Sequence, residues 1–259
     1  MEAGDATRGV FVTGTDTGVG KSILAAAICA ALAGRGERVA ALKPAVTGLD
    51  EPSGEWPADH ELLAEAASAD QAADAVAPYR FGPPVSPHLA TELAGERIEP
   101  PRLLDAARRA ASASDALVVE GVGGLLVPLT PGYLIRDFAV DIRLPVVIAA
   151  RAGLGTINHT LLTIEAARAV GLQVAGVVMT PWPAHPEPIE HSNRETVERF
   201  AAVRVSGLPR TRPDALLEAG ATLPLDAWLG PRTDPRGEVQ PRSAETRRRS
   251  EVSDRDIPG

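Results

Sequence analysis

The stretch Gly14-Thr15-Asp16-Thr17-Gly18-Val19-Gly20-Lys21-Ser22 decides how this chain is read. Before it stands a short apolar run, Gly9-Val10-Phe11-Val12-Thr13, and after it residues 21–33 are rich in alanine and free of proline. The order is therefore strand, glycine-rich turn, helix, the context in which a loop ending in Gly-Lys-Ser reads as a phosphate loop. Its backbone N–H groups and the free helix N-terminus would face nucleotide phosphates, Lys21 would reach the β and γ oxygens, and the Ser22 hydroxyl would sit on Mg²⁺. The loop departs from the strict pattern: five residues, not four, separate Gly14 from Gly20, and Thr15 takes the place of the first glycine.

Working outward, Gly34-Arg35-Gly36 ends the first helix, and residues 39–42 form a second strand that stops at Lys43-Pro44. Further apolar or β-branched runs fall at 116–120, 145–150 and 174–179, with helical patterns at 101–113 and 156–170 between them. Strands alternating with helices of this length predict a doubly wound, mostly parallel α/β sheet of the P-loop type, in one domain spanning 8–230. Residues 50–100 break the rhythm with Pro and Gly. They hold an Ala/Glu helix near 59–67 and a cap-plus-proline helix start at Ser86-Pro87-His88, and are expected to lie as an insertion over the ligand edge. Residues 231–259 are Arg, Glu, Asp, Pro and Ser with little apolar content, which predicts a disordered tail.

Composition narrows the function. The balance of 26 basic against 34 acidic residues, with no basic cluster before the tail, argues against nucleic acid and anionic membrane as partners. No apolar run is long enough to span a bilayer and the N-terminus is acidic, so a cytoplasmic location is expected. Cys29 is the single cysteine, which excludes an intrachain disulfide and a multi-cysteine zinc site.

Of the basic residues 24 are Arg, and the only lysines are Lys21 and Lys43. Lys43 ends a strand and so falls on the sheet edge that carries Lys21. Two compact ammonium groups at one edge point to a crowded anion, such as a triphosphate beside a second acidic group. Glu120 ends another strand on the same edge, followed by Gly121-Val122-Gly123-Gly124, where a Mg²⁺-directed acid and a close ligand approach are expected. Thr47-Gly48 follow Lys43 at a spacing that could bring a hydroxyl to the same group.

Together these blocks resemble the dethiobiotin synthetase family. The resemblance rests on residues 12–22, on Lys43-Pro44 with Thr47-Gly48, on Ser86-Pro87-His88, on Val119-Glu120-Gly121-Val122-Gly123-Gly124 and on Gly153-Leu154-Gly155-Thr156-Ile157-Asn158-His159, which fall in family order from about residue 11 to 209. It implies an ATP-dependent cyclo-ligase of biotin biosynthesis. An amine of 7,8-diaminononanoate takes up CO₂ as a carbamate, ATP phosphorylates it, and the second amine closes the cyclic urea to give dethiobiotin, ADP and phosphate. By position it makes Thr17, Lys21 and Lys43 catalytic. It gives the nucleotide to Asp16, Gly18, Val19, Gly20, Lys21, Ser22 and Glu120, with the backbone of Gly207 and Pro209 near the base. Thr47, Gly123, Gly155 and Asn158 would bind substrate, and Ser22, Asp59 and Glu120 would surround Mg²⁺. The family is typically homodimeric, with the helix start at 155–159 meeting the substrate carboxylate near the subunit interface and Thr156 as its cap.

Thr180-Pro181-Trp182 stands where some members carry an Asn-Asp pair that reads adenine, so other nucleoside triphosphates stay open. Two other readings share the fold. An amidoligase of the cobyrinic acid diamide synthase type would need a Cys nucleophile, and a partition-type ATPase switch would need an extra lysine where Asp16 stands.

Overall fold

A computed structural model describes residues 8–52 and 54–229; the expected tail at 231–259 lies outside the described residues. The chain opens with β1 (Gly9–Gly14), α1 (Lys21–Gly34) and β2 (Val39–Leu42). Three short helices follow, α2 (Asp59–Ala66), α3 (Ala73–Val76) and α4 (Pro87–Ala94), and then α5 (Pro100–Ser112) and β3 (Ala116–Glu120). A small hairpin of β4 (Pro128–Thr130) and β5 (Tyr133–Leu134) precedes α6 (Ile135–Ile142), β6 (Val146–Ala150), α7 (Thr156–Arg168) and β7 (Val174–Trp182). The described chain ends with α8 (Pro188–Ala201), β8 (Val205–Pro209), α9 (Leu216–Ala221) and α10 (Leu225–Leu229).

Six strands form one sheet in the order β2-β3-β1-β6-β7-β8, all paired in parallel. The chain moves to one side of β1 first and to the other side later. All strand C-termini lie on one edge, and the crevice where the winding reverses, beside β1, is the place such sheets offer to ligands.

Side-chain alternation sorts the core into two layers. Phe11, Leu117, Val119, Val146 and Ile148 face a layer that includes Leu103 of α5, Phe138 of α6, Ile164 of α7 and Val197 of α8. Val10, Val12, Ala116, Val118 and Val147 face the other, with Leu24 and Ile28 of α1, Leu63 of α2, Leu216 of α9 and Trp228 of α10. The same period of two puts Glu120, after Ala116 and Val118, on the α1 side, and Lys43, after Val39 and Ala41, on that side too.

Several sequence expectations need correction. The strand expected to stop at residue 179 runs on to Trp182, because after a register shift Trp182 still pairs with Pro209. The helix after β6 is capped by the backbone of Gly155 at φ 85°, not by Thr156, whose hydroxyl lies 3.3 Å from that of Thr160. The antiparallel hairpin, the strand β8 and the helices α3, α6, α8, α9 and α10 were not anticipated. The insertion at 50–100 lies over the ligand edge only in part: Asp59 and residues 84–87 line the cavity there, whereas residues 68–71 run along the outer edge of β2, with Ser68 and Ala69 N–H on Val39 O and the Gln71 side chain on Ala41. The chain after β2 is tied to it by Lys43 N–H to Val76 O, Val46 N–H to Tyr79 O and Gly48 N–H to Pro83 O, which folds the segment back over the strand C-termini.

Candidate active site

α1 begins at a loop whose geometry glycine alone supplies. Gly20 caps the helix at φ 83°, and a Cβ there would fall 2.9 Å from Thr180 Cγ2. A Cβ on Gly14 would fall 2.8 Å from Val19 Cγ2 and 2.9 Å from Lys21 Cδ. The loop therefore wraps tightly round the Lys21 stem, and the Lys21 ammonium donates to Asp16 O at 2.8 Å. Val19 is buried as the packing residue of the turn.

Beside this loop lies a cavity of about 600 Å³. Lys21, Ser22, Lys43, Asp59 and Glu120 line it together, with Thr17, Gly18 and Gly20 from the phosphate loop and Thr47 and Gly123 from the strand-end loops. Residues from α1, the C-terminal end of β2, the start of α2 and the end of β3 thus meet in one place. Lys43 is the centre of the polar network: its Nζ donates to Asp59 Oδ2 at 2.5 Å and to Glu120 Oε1 at 2.6 Å. Ser22 Oγ donates to the same Glu120 oxygen at 2.8 Å. Lys21, Lys43 and Glu120 are 7%, 4% and 0% exposed, values that charged groups reach only when paired.

The electrostatics follow from that burial. Burial pulls the Lys21 ammonium below the ordinary lysine range, only partly opposed by Glu120. For Lys43 burial pulls the same way, but the Glu120 and Asp59 carboxylates outweigh it and hold the ammonium above that range. Burial pushes the Glu120 carboxyl up against the pull of Lys43, whereas for Asp59 the adjacent Lys43 overcomes burial and holds it below the usual carboxylate range. The second oxygen of Glu120, Oε2, is buried without a hydrogen-bond partner.

That orphaned oxygen, the Ser22 hydroxyl and the Asp59 carboxylate form an all-oxygen donor set of the kind a hard divalent cation takes. Among the described residues no three His, Cys, Asp or Glu side chains cluster as a metal cage. Two carboxylates and a hydroxyl are the number of protein oxygens that fits Mg²⁺, which keeps waters and substrate phosphates for its other positions.

The glycines after β3 bring a third wall close. A Cβ on Gly124 would lie 3.3 Å from Gly14 O, and one on Gly123, at φ 62°, would lie 2.8 Å from Val127 Cγ2 and 3.8 Å from Thr17 Oγ1. Other expected residues stand elsewhere. Asp16 and Val19 belong to the loop but do not line the cavity, and neither do Gly155 and Asn158 at the start of α7. Gly207 and Pro209 close β8 on the same sheet edge, outside the cavity, and Gly207 carries the indole of Trp182, since a Cβ there would fall 2.5 Å from its Cγ.

One basic residue at the loop went unnoticed in the sequence. Arg151, directly after β6, lies 3.6 Å from Asp16 Oδ2 and donates to Thr17 O at 3.5 Å. Its position at the end of a parallel strand is the signal that could have found it. Trp56 and Glu51 also line the cavity and were legible only as parts of the insertion. Cys29 is fully buried within α1 and burial pushes its thiol up, so Cys29 is not placed to act as the nucleophile of a glutamine-dependent amidoligase.

Residues 8–211 match the profile of an AAA domain family. The ATP-dependent dethiobiotin synthetase of Anaeromyxobacter dehalogenans (strain 2CP-1) is 42% identical over 207 residues, covering 80% of this chain and 92% of that protein. The enzyme of the same name from Bacillus subtilis (strain 168) is 33% identical over 201 residues, covering 78% and 86%. The Pyrococcus furiosus cell division ATPase MinD superposes with a TM-score of 0.51 at 17% identity, covering 86% of this chain and 97% of that one; at that identity the likeness is one of fold alone. By its likeness in sequence the chain belongs to the ATP-dependent dethiobiotin synthetase family.

Proposed function

We propose that this chain closes the cyclic urea of dethiobiotin from 7,8-diaminononanoate, CO₂ and ATP. The observation that carries the proposal is the meeting of the only two lysines, both buried, with Glu120, Asp59 and Ser22 in one cavity beside a phosphate loop. A carbamate next to a γ-phosphate is the close pair of anions that such a pair of ammonium groups serves.

In the first step an amine nitrogen bonds to the carbon of CO₂ and loses a proton, leaving a carbamate. A carbamate oxygen then bonds to the γ-phosphorus while the bond from that phosphorus to the bridging oxygen breaks, releasing ADP and leaving a carbamic–phosphoric mixed anhydride. The second amine bonds to the carbonyl carbon, the bond to the phosphate oxygen breaks, and phosphate and a proton depart. Positioning and charge stabilisation dominate such transfers. Lys21 holds the β and γ oxygens, and Lys43 with Thr17 bridges the γ-phosphoryl group and the carbamate. Thr47 and the open backbone at Gly123 contact the diamine or its carbamate. The backbone of Asp16, Gly18, Val19 and Gly20 cradles the phosphates. Mg²⁺, held by Ser22, Asp59 and Glu120, would supply charge neutralisation at the phosphates. On the β7–β8 side the base would meet the backbone of Gly207 and Pro209. Thr180-Pro181 stands there without a side-chain amide, so a weak base preference is expected.

The start of α7 lies outside the cavity, and Leu154 next to it is 89% exposed. We take this as support for a homodimer in which Gly155 and Asn158 of one subunit complete the diamine site of the other. Nucleic acid and membrane have no place in this reading; no described helix is long and apolar enough to cross a bilayer.

The test is nucleoside diphosphate release with Mg²⁺ and bicarbonate, with and without 7,8-diaminononanoate, on ATP, CTP and GTP in parallel. The proposal expects release that depends on the diamine. Diamine-independent release would overturn it, and the ranking of the three nucleotides measures the base preference.

A further inference from the structure

A second cavity, of about 650 Å³ and thus as large as the first, runs along the outer edge strand β2 on the α5 face of the sheet. Its floor is made by Ala40 of β2, Ala106 and Ala110 of α5 and Ala77 before the Val46–Arg80 bridge, side chains too short to fill the space between helix and strand. Four arginines stand round it.

The arginines are paired by topology. In a right-handed strand–helix–strand layer α5 runs antiparallel to β2, so its start and end lie over opposite ends of the strand. At the helix start, Arg102 donates to Pro78 O at 3.4 Å with its guanidinium 4.8 Å from the centre of the Tyr79 ring, and Arg80 beside it pairs with Asp74. Near the helix end, Arg109 and Arg38 both line the cavity; at the foot of β3 the Arg38 carbonyl receives Asp115 N–H, and Asp115 Oδ2 accepts Arg38 N–H at 2.8 Å. Among the described residues the guanidinium groups of Arg38 and Arg109 have no hydrogen-bond or ion-pair partner; the acid at this end of the lining is Asp70. The start of α5 thus carries two guanidinium groups against one carboxylate, Asp74; its end carries the guanidinium groups of Arg38 and Arg109, with Asp70 and Asp115 close by and in ion pair with neither.

Arg102 and Arg109 are seven residues apart on one helix face, so their Cα atoms lie about 10 Å apart along the axis. Guanidinium forks take carboxylates in bidentate pairs. An extended chain advances about 1.2 Å per covalent bond, so about eight carbon–carbon bonds bridge that span. We propose that this groove binds an extended dianion with an apolar middle, a medium-chain α,ω-dicarboxylate, one carboxylate at Arg38 and Arg109 and the other at Arg80 and Arg102. The site is distinct from the Lys21–Lys43 cavity, and no residue lines both. It therefore does not depend on the ligase reading.

Titration calorimetry of the full chain with azelate (nonanedioate), with nonanoate and succinate as controls, tests this. The expected result is azelate binding with Kd below about 10 mM, and binding by succinate or nonanoate at least about tenfold weaker because each engages one end only. Azelate affinity should also fall at least about tenfold in Arg38→Ala/Arg109→Ala and in Arg80→Ala, since each removes guanidinium donors from one end. Diamine-dependent ADP release should be unchanged in these variants. All three arginines are exposed, and Ala75→Trp, at an exposed lining position, blocks the trough by bulk without touching a charge and should abolish binding. Absence of azelate binding in the native chain, equal affinity in the arginine variants, or nonanoate binding as tightly as azelate would each overturn the proposal.

Discussion

Lys43 concentrates more of the chemistry than any other side chain, because it neutralises two carboxylates at once from a buried position. Replacing it with methionine leaves Glu120 as an uncompensated buried charge, for which a loss of about 3–5 kcal/mol near neutral pH is expected. The loss should shrink as pH falls and Glu120 takes up a proton, which urea unfolding of Lys43→Met at two pH values would reveal. Diamine-dependent turnover should fall about a hundredfold or more, the scale for removing one donor from a developing anion. Asp59 gives a pH signature of its own. Its carboxyl is held below the ordinary 3.8 by Lys43, so the stability it contributes is present above that pH and disappears as pH falls through the lowered value. The urea midpoints of the native chain and Asp59→Asn should therefore differ at pH 6 and converge in acid. Convergence at neutral pH instead would mean that the Asp59–Lys43 contact adds no stability. The lysine count made Lys21 and Lys43 legible in the sequence. Arg151 was not, because it is one of 24 arginines and only its place after β6 sets it apart.

At the scale of elements, the approach of α1 to its neighbours is set by small residues. Gly220 of α9 sits directly against the Ala27 carbonyl of α1, and a Cβ added there would collide with backbone. Gly220→Ala should therefore push α9 off α1 and lower stability by about 1–3 kcal/mol, the usual cost of overpacking, read from the thermal midpoint. Gly20→Ala combines a left-handed backbone with a contact to Thr180, and about 1–2 kcal/mol is expected from the backbone alone. Nucleotide affinity should fall with it, because the first N–H groups of α1 would shift from the phosphate path. Strands rich in β-branched residues and bounded by glycine or proline could be read with errors of a residue or so, except β7, which runs three residues past its expected end to Trp182. β8 and α8 could not: Val205-Ser206-Gly207-Leu208-Pro209 is too short and mixed to show a period, and α8 is a helix of largely polar residues whose inward face shows only in Asn193, Val197 and Ala201.

For the molecule as a whole, a homodimer predicts that sedimentation gives a species of twice the 27.0 kDa chain mass, and that Leu154→Asp lowers it to the single chain. The same variant should raise KM for the diamine more than for ATP if the start of α7 serves the partner's site. A monomeric native chain with full activity would remove that arrangement. The sequence by itself determined the α/β class, the phosphate loop and the strand-end placement of Lys43 and Glu120, because each of these follows from local chemistry: hydrophobic period, glycine turns and proline stops. Only the tertiary structure decided that Lys43, Asp59, Ser22 and Glu120 share one hydrogen-bond network, that Thr180 presses on Gly20, and that four arginines frame a groove beside β2. These contacts join residues tens to more than a hundred positions apart. They depend on strand order and on which face each side chain takes, quantities fixed by the packing of all the layers together and by no single stretch of chain.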